Sequence, residues 1–375
     1  MGPLEGLRIV ELEAIGPAPM AAMLLADLGA DVVRVDRRTA TGDVLRTLMG
    51  RNRRSIAVDL KHPDGVLAVL RLIDRADVVL EGMRPRVAER LGLGPDVCRA
   101  RHPGLLYARM TGWGQDGPYA GQAGHDLNYI AVAGALGAMG EPDRPPPPPL
   151  NLVGDFGGGA LYLVVGVLAA LHERTRSGEG QVVDAAMVDG AASLTTMFHE
   201  LAALGLWGGD RGANLLDGGA PFYATYRTAD GGHVAVAALE PRFFAELLRR
   251  LDLDPEDIGD QHDRRRWPGL RERLTAVFAG GTLAEWETHF ANSDACVFPV
   301  RPMVGAPDDP HLAARGTFVD VGGVRQPAPA PRFSRTPSAH PTPAPAAGAD
   351  TDAILTDLGY TDREIAHLRT TGAVG

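Results

Sequence analysis

Short apolar runs alternate with stretches of helical periodicity through the first third of the chain. Leu7–Leu12 is apolar and β-branched, Pro17–Leu28 repeats its apolar positions at helical spacing, and Asp31–Val35 is apolar again. This order predicts a strand, a helix and a second strand, and therefore a parallel sheet with helices on its faces. The same alternation predicts further strands at Ser55–Leu60, Asp77–Leu80 and Leu105–Met110, and a helix at Asp64–Ala76.

The middle of the chain carries a more continuous helical pattern. Asp126–Met139 and Gly157–Arg174 predict two helical zones. The proline tract Pro145–Pro149 between them must be extended, because proline lacks an amide donor. Residues 182–204 are expected to lead into another helix that begins near Asp184.

A change of composition after this point indicates a second lobe. The glycine-rich stretch Trp207–Ala220 is typical of a domain boundary, and two short strands, Phe222–Arg227 and His233–Leu239, follow it together with helices. Gln326–Pro345 is rich in proline and alanine and predicts an extended strap, and Asp350–Leu368 predicts a closing helix pair. We therefore predict an α/β protein with a large lobe at residues 1–205, a linker at 206–221, a smaller α+β lobe at 222–318 and a C-terminal return onto the large lobe at 319–375.

Composition and charge narrow the class of protein. Apolar residues make up 45% and charged residues 22% of the 375, which is typical of a globular protein. The net charge of −10 argues against a nucleic-acid or anionic-membrane partner, because such partners need clustered positive charge. The longest apolar run, Ala160–Leu171, is shorter than the roughly 20 residues of a membrane-spanning helix, and Pro3–Glu5 shows no secretory signal. We expect a cytoplasmic protein without a membrane span.

Signatures of common cofactor and hydrolase sites are absent or out of context. A GxGxxG pattern occurs at Gly112, Gly114 and Gly117, but it runs into Pro118 rather than into a helix, so a nicotinamide-dependent dehydrogenase is a weak interpretation. No GxSxG, HExxH or Walker lysine occurs, and the two cysteines form no CxxC pair. The sequence therefore predicts neither a nicotinamide cofactor nor a metal.

Basic residues recur at the ends of the early strands. Lys61 is the only lysine among the 37 basic residues. Because ligands of open parallel sheets bind outside the carboxyl ends of the strands, these side chains could converge on a ligand with several phosphates. For any single arginine, a solvated surface charge is the alternative. The set consists of Arg37, Arg38, Arg51, Arg53, Arg54, Lys61 and Arg84.

A histidine and two aspartates stand where helices are expected to begin. His125 and Asp126 follow Gly124, and Asp155 comes just before three glycines. The free amides and the positive dipole end of a helix N-terminus favour an ionised carboxylate and a neutral histidine, so both groups would be in their base form. Taken separately, each aspartate could simply be an N-cap and the histidine a loop residue.

These residues lie in segments that resemble the family III coenzyme A transferases, and within that family the branch of α-methylacyl-CoA racemases. The resemblance extends over nearly the whole chain. The segments GHDLNYI and NLVGDFGGG carry the likeness to the racemase branch. The broader likeness is carried by PLEGLRIVEL, LLADLGADVVRVDR, TGWGQDGPY, GEGQVVDAAMVDG, RGANLLDGGAPFY and LTDLGYTDREIAHLR.

The resemblance implies a Rossmann-like large lobe, a small lobe, and two chains interlocked as a homodimer with the active site between the large lobe of one subunit and the small lobe of the other. The coenzyme A thioester is then the substrate, and no separate cofactor is expected. His125 and Asp155 match the catalytic pair of the racemases, and Glu240 matches an acid that supports the histidine. The residues that match coenzyme A contacts are Arg37 at the adenosine, Leu60, Lys61, Arg84 and Arg90.

The implied reaction is epimerisation of the carbon next to the thioester carbonyl in 2-methyl-branched acyl-CoA, a reaction of fatty-acid and lipid metabolism. A base and an acid must flank this carbon, and the Asp126 amide is expected to donate to the enolate oxygen. Acyl transfer is an alternative, with Asp155 as the nucleophile that attacks the thioester. A non-catalytic acyl-CoA-binding interaction protein is another.

Two observations favour racemisation over acyl transfer. Only Gly218–Gly219 and Gly231–Gly232 stand where transferases carry a longer glycine run, and acyl transfer has no need of His125. The sequence does not identify the acyl group.

Overall fold

A single parallel sheet organises the first part of the protein. The computed structural model describes residues 2–38 and 49–375. Within them, the main sheet has six strands, β1 (Arg8–Leu12), β2 (Asp31–Arg37), β3 (Arg53–Val58), β4 (Val78–Glu81), β5 (Leu106–Thr111) and β6 (Val182–Ala186). Their order is β3-β2-β1-β4-β5-β6 and all neighbours are parallel, which confirms the predicted α/β sheet.

The order of the strands reverses between β1 and β4. In open α/β sheets, ligands bind outside the carboxyl ends of the strands at such a switch point. The helices that surround the strands, or lie beyond them, follow in chain order. They are α1 (Pro17–Asp27), α2 (Pro63–Ile73), α3 (Val87–Arg90), α4 (Pro95–Arg101), α5 (Asp126–Val132), α6 (Tyr162–Ser177), α7 (Met187–Leu194), α8 (Thr196–Ala203), α9 (Pro241–Arg250), α10 (Pro255–Ile258), α11 (Trp267–Phe278), α12 (Leu283–Phe290), α13 (Pro310–Ala314), α14 (Thr351–Asp357) and α15 (Asp362–Thr370).

Both faces of the sheet are buried. Val10 and Val33 belong to a core that also takes in α2, α14 and α15, whereas their neighbours Ile9 and Val32 belong to a core shared with α1 and α6. Successive side chains of a strand point to opposite faces, so a strand covered on both sides needs a continuous apolar run. This is why the strands are visible in the sequence as uninterrupted apolar segments.

The chain divides into two compact units. The first consists of residues 1–133, 149–194 and 313–375, and the second of residues 134–148 and 195–312. The predicted lobe limits at 205 and 318 lie near these divisions, and the organisation into independent lobes stays a prediction.

The second unit has its own antiparallel sheet and core. The sheet has the strands β7 (Tyr223–Arg227), β8 (His233–Ala237) and β9 (Val297–Pro299), in that order. Phe222, Leu247 and Phe278 are fully buried in its core. The two-stranded hairpin of β10 (Phe318–Val321) and β11 (Val324–Pro327) belongs to the first unit.

The predicted start of one helix, near Asp184, is wrong. The segment from Val182 onward forms strand β6, which pairs with β5, and helix begins only at Met187. A second break at Thr195 separates α7 from α8. The β-branched residues Val182 and Val183 suit an edge strand, and pairing to β5 decides their conformation.

The helical zone that precedes α6 starts earlier than predicted. Leu152–Leu161 forms a π-helical segment that continues directly into α6. By length and composition alone, the combined helix Leu152–Ser177 is apolar enough to cross a membrane. Leu163 and Val167 on its buried side pack in the core beneath the sheet, as in the core helix of a folded domain.

Candidate active site

The two turns at the switch point lie against each other. Gly82 follows β4, and a methyl group on its Cα would come within 2.7 Å of the Ala14 side chain in the turn after β1. Gly16 ends that turn with a φ of +70°, and a methyl group there would lie 3.3 Å from Asp155 Oδ2. The Asp155 carboxylate therefore faces the turn after β1.

Asp155 lies in the first turn of the π-helical segment, so it stands near a helix start, as the sequence predicts. Its amide donates to Asp126 Oδ1 at 2.6 Å, and Asn151 Nδ2 donates to its Oδ2 at 3.2 Å. A methyl group on the preceding Gly154 would lie 2.5 Å from Asp126 Oδ1, so a glycine is needed there for the close approach. The carboxyl group is half-buried between these neighbours.

Asp126 is the first residue of α5, and His125 is its N-cap residue. The amide of His125 donates to Asn128 Oδ1 at 3.0 Å, which fixes the entry into the helix. Asp126 is buried, and its second carboxylate oxygen has no hydrogen-bond partner among the described residues. The first amides of a helix have no intrahelical acceptor, so the Asp126 amide is available as a donor.

The Tyr129 ring holds His125 in place. Its hydroxyl donates to the Gly124 carbonyl, and its ring packs edge-on against Trp113 with 4.8 Å between centroids. A methyl group on Gly112 would lie 2.1 Å from Tyr129 Cζ, and one on Gly124 2.8 Å from Cε1. The first glycine of the GxGxxG pattern thus makes room for an aromatic ring.

Burial raises the pKa of Asp155 above its usual value, and the nearby Asp126 charge raises it further. The hydrogen bond from Asn151 and the proximity of His125 act in the opposite direction. Burial therefore acts against the stabilisation of the ionised form that a helix start provides, and it is the largest cause of the raised pKa.

The residues expected to meet coenzyme A follow the carboxyl ends of three strands. Arg37 ends β2 with its amide bonded to Glu13 Oε2 at 2.9 Å and its side chain 80% exposed. Leu60 and Lys61 follow β3, and Lys61 is exposed. The last two, Arg84 and Arg90, follow β4 and are also exposed.

A buried ion-pair network anchors the turn after β4. Arg109 on β5 donates to Glu81 Oε1 at 2.7 Å and to Glu89 Oε1 at 2.8 Å, and the amide of Met83 donates to Glu81 Oε2 at 2.7 Å. Glu89 lies on α3, next to Arg90. The sequence does not reveal this network, because each member alone looks like a surface charge.

Three arginines of the predicted basic set are engaged elsewhere. Arg51 pairs with Asp27 and Arg53 with Glu11, and both pairs are buried. Arg54 pairs with Asp31 and Asp357, where β3 begins. These side chains form ion pairs in the interior or at the amino end of the sheet. The prediction that the whole set converges on phosphates is therefore wrong for them.

Glu240 lies in the second unit. It follows β8 as the N-cap residue of α9 and is exposed. Its predicted support of His125 stays a prediction. Among residues 2–38 and 49–375, no group of three or more His, Cys, Asp or Glu side chains is arranged to hold a metal ion.

Comparison with known proteins identifies the family. Residues 4–351 match the sequence profile of CoA-transferase family III, so the chain belongs to this family. It is 44% identical to the α-methylacyl-CoA racemase of Mus musculus over 367 residues, and 43% identical to that of Homo sapiens over 371 residues. Each alignment covers 97% of this chain and 96% of the relative.

A solved structure gives the same result for the fold. The crystal structure of a CaiB/BaiF family protein from Brucella suis matches with a TM-score of 0.81 and 27% identity, covering 95% of this chain and 99% of the other. The resemblance found in the sequence is confirmed at the level of the family.

Proposed function

We propose that this protein is an α-methylacyl-CoA racemase, an isomerase that epimerises the α-carbon of 2-methyl-branched acyl-CoA thioesters. The observation that carries the proposal is the contact between the start of α5, at His125 and Asp126, and the segment that holds Asp155 beside the turn after β1 in a family III fold. Near-full-length likeness to proteins named as racemases supports the same activity.

His125 and Asp155 act as the two bases. His125 removes the α-proton of the S epimer while Asp155 delivers a proton to the opposite face, and the roles exchange for the R epimer. A carboxyl group with a raised pKa is better suited to proton delivery than an exposed one, because its proton affinity is closer to the working pH.

The enolate between the two transfers needs hydrogen-bond donors at its oxygen. The Asp126 amide, at the first position of α5, serves as that donor. The buried Asp126 carboxylate holds the π-helical segment in place by accepting from the Asp155 amide. One residue thereby supplies a donor to the substrate and sets the position of the second base.

Coenzyme A is bound as part of the substrate, without a separate nicotinamide or metal. Arg37 meets the adenosine, while Lys61, Arg84 and Arg90 meet the phosphates, with Leu60 beside them. All of these residues follow the carboxyl ends of β2, β3 and β4. The exposure of the four basic side chains supports this assignment, since each is open to solvent, although Arg37 also lies 3.6 Å from Glu13 Oε2.

The active enzyme is a homodimer in which Glu240 of the partner subunit supports His125. An exposed apolar stripe on α6 supports this part of the proposal, since Val165 and Leu168 are 61% and 37% exposed in the single chain. The cytoplasm, expected from the sequence, is the proposed location.

Acyl transfer is the second candidate, because the family profile is that of CoA-transferases. In that reaction Asp155 would attack the thioester and carry the acyl group as a mixed anhydride. The two reactions differ in whether Asp155 becomes acylated and in whether the α-hydrogen of the substrate exchanges with solvent.

One incubation separates them. A single epimer of a 2-methylacyl-CoA is incubated with the protein in D2O, with and without borohydride. Racemisation predicts loss of optical activity together with deuterium at the α-carbon, and no adduct on Asp155. Reduction of Asp155 to homoserine by borohydride, which requires an acylated carboxyl group, without α-deuteration would overturn the proposal in favour of acyl transfer. Neither reaction, with acyl-CoA still bound, would point to a binding protein.

A further inference from the structure

The last residues of the sequence lie along the outer edge of β3. Asp59 N donates to the Ala373 carbonyl at 2.9 Å, and Gly375 N donates to the Ala57 carbonyl at 2.9 Å. Val58 and Val374 form an antiparallel bridge between these two bonds. Ala373 and Val374 are buried, so Gly372–Gly375, here called the terminal segment, is a packed part of the first unit.

Asp59 links the terminal segment to the turn that carries Leu60 and Lys61. While its amide is bonded to Ala373, its carboxylate accepts from Lys61 N at 2.9 Å, and its carbonyl accepts from His62 N at 3.0 Å. The conformation of the turn is therefore set by Asp59, and Asp59 is held in place by the terminal segment.

The terminal segment also packs on the end of β2. A methyl group on Gly375 would lie 2.8 Å from Arg38 Cγ, and one on Gly372 3.7 Å from Arg38 Cζ. Arg38 is the residue after Arg37, so the two strand ends that carry Arg37 and Lys61 rest on the same short stretch of chain.

The first turn of α2 also packs against Asp59 and the terminal segment. A methyl group on Gly65 would lie 2.4 Å from the Asp59 carbonyl oxygen and 3.1 Å from the Ala373 carbonyl oxygen. Helix, turn and terminal segment thus meet without free space, and the loss of one member leaves the Asp59 turn unsupported.

We infer that the terminal segment is a positioning element of the coenzyme A nucleotide site, which holds Arg37 and Lys61 in their binding geometry from behind. This inference rests on the proposed function, because it takes these two residues as contacts of coenzyme A. It assigns the terminal segment to substrate binding rather than to proton transfer. The competing explanation is that the segment only shields the edge of β3.

The test uses two variants and two substrates. One variant lacks Gly372–Gly375, and the other is Asp59→Ala, which breaks the link to Lys61 at a half-exposed position and leaves the core intact. Asp143→Ala, at an exposed loop position of the second unit, is the matched control. Each protein is assayed with a 2-methylacyl-CoA and with the corresponding acyl-pantetheine thioester, which lacks the nucleotide, and its Kd for free coenzyme A is measured.

A positioning role predicts a selective defect in both variants. The KM for acyl-CoA and the Kd for coenzyme A rise about tenfold, as expected for the loss of a charge-assisted contact, while kcat stays near that of the wild type. The kcat/KM for acyl-pantetheine and all values for Asp143→Ala are unchanged. If the deletion variant does not fold, removal of Gly375 alone, which takes away its bond to the Ala57 carbonyl and its packing on Arg38, gives the answer.

Two results would overturn the inference. Equal losses with both substrates would mean that the segment supports the fold as a whole, and an unchanged Kd for coenzyme A would mean that it does not support the nucleotide site. If the wild type epimerises neither substrate, the proposed function has failed, and the Kd for coenzyme A still decides the role of the segment.

Discussion

Opposing electrostatic influences meet at one residue, Asp155. Burial and the adjacent Asp126 carboxylate favour its protonated form, while the amide of Asn151 and the nearby His125 favour its ionised form. The net result is a raised pKa, which suits a group that must both give and take a proton.

The pH dependence follows from this balance. Starting from the R epimer, Asp155 must be ionised to act as the base, so kcat/KM rises with pH through its raised pKa. Asp126→Asn keeps an oxygen that can accept from the Asp155 amide but removes a negative charge, which lowers the pKa of Asp155. The acid limb of the profile is expected to move to lower pH in this variant and to stay in place in Asp143→Asn. An unmoved limb, or one shifted to higher pH, would contradict the electrostatic account.

Arg51 tests how much a buried ion pair contributes to stability. Arg51 donates to Asp27 Oδ1 at 3.0 Å and to Gln326 Oε1 at 2.8 Å, and both members of the Arg51–Asp27 pair are buried. Arg51→Ala leaves the Asp27 carboxylate buried without its cation, which is expected to lower the free energy of unfolding by about 3–5 kcal/mol in urea titrations. Arg265→Ala, at an exposed ion pair, should change it little. Equal losses of unfolding free energy in Arg51→Ala and Arg265→Ala would show that the buried Arg51–Asp27 pair is no more important than an exposed one.

The sequence indicated the site at this scale only in part. His125, Asp126 and Asp155 stand out because of their residue types and their neighbouring glycines. The raised pKa of Asp155 could not be foreseen, because it depends on packing between segments that are 29 residues apart. Arg51 and Arg53 were misjudged for the same reason, since their acidic partners lie on other elements.

At the scale of elements, a close contact between glycines of two neighbouring helical segments determines where Asp155 lies. A methyl group on Gly190 of α7 would lie 1.9 Å from the Gly158 carbonyl oxygen, and one on Gly158 2.6 Å from Ala191 N. The backbones of α7 and the π-helical segment therefore touch, and no side chain fits between them. Gly158, which makes this contact, is one of the three glycines that follow Asp155 and Phe156 in the sequence.

Gly190→Ala is expected to move the π-helical segment and with it Asp155. A displacement of about 1 Å at a catalytic group can reduce the rate roughly a hundredfold, so epimerisation should fall by about that factor. The matched variant is Gly269→Ala, at a helical position of α11 with no atom within 4 Å, and it should retain full activity. Wild-type activity in Gly190→Ala would show that the contact between Gly190 and Gly158 does not set the position of Asp155.

Element prediction succeeded where pattern and environment agree. The continuous apolar runs of β1 and β2 fit strands buried on both faces. It failed at β6, because pairing with β5 could not be inferred from Val182 and Val183 alone. The π-helical segment also carries no periodic signal distinct from that of an α-helix.

At the scale of the whole molecule, the proposed homodimer places half of the site on each subunit. Val165→Asp puts a charge in the middle of the exposed apolar stripe on α6. We expect this variant to sediment as a monomer and to lose epimerase activity, because the partner's Glu240 no longer reaches His125. Val97→Asp on α4, 44% exposed, is the control and should remain dimeric and active. A monomeric wild type, or an active dimer of Val165→Asp, would contradict the proposed assembly.

The most direct test of the two-base mechanism is α-hydrogen exchange in D2O, followed separately from each pure epimer. His125→Ala should exchange the α-hydrogen of the R epimer through Asp155 but not that of the S epimer, and Asp155→Ala should do the reverse. Both variants should lose inversion by about 10²-fold or more. Equal exchange of both epimers by either variant, or inversion at the wild-type rate, would contradict a histidine and a carboxyl group acting on opposite faces of one carbon.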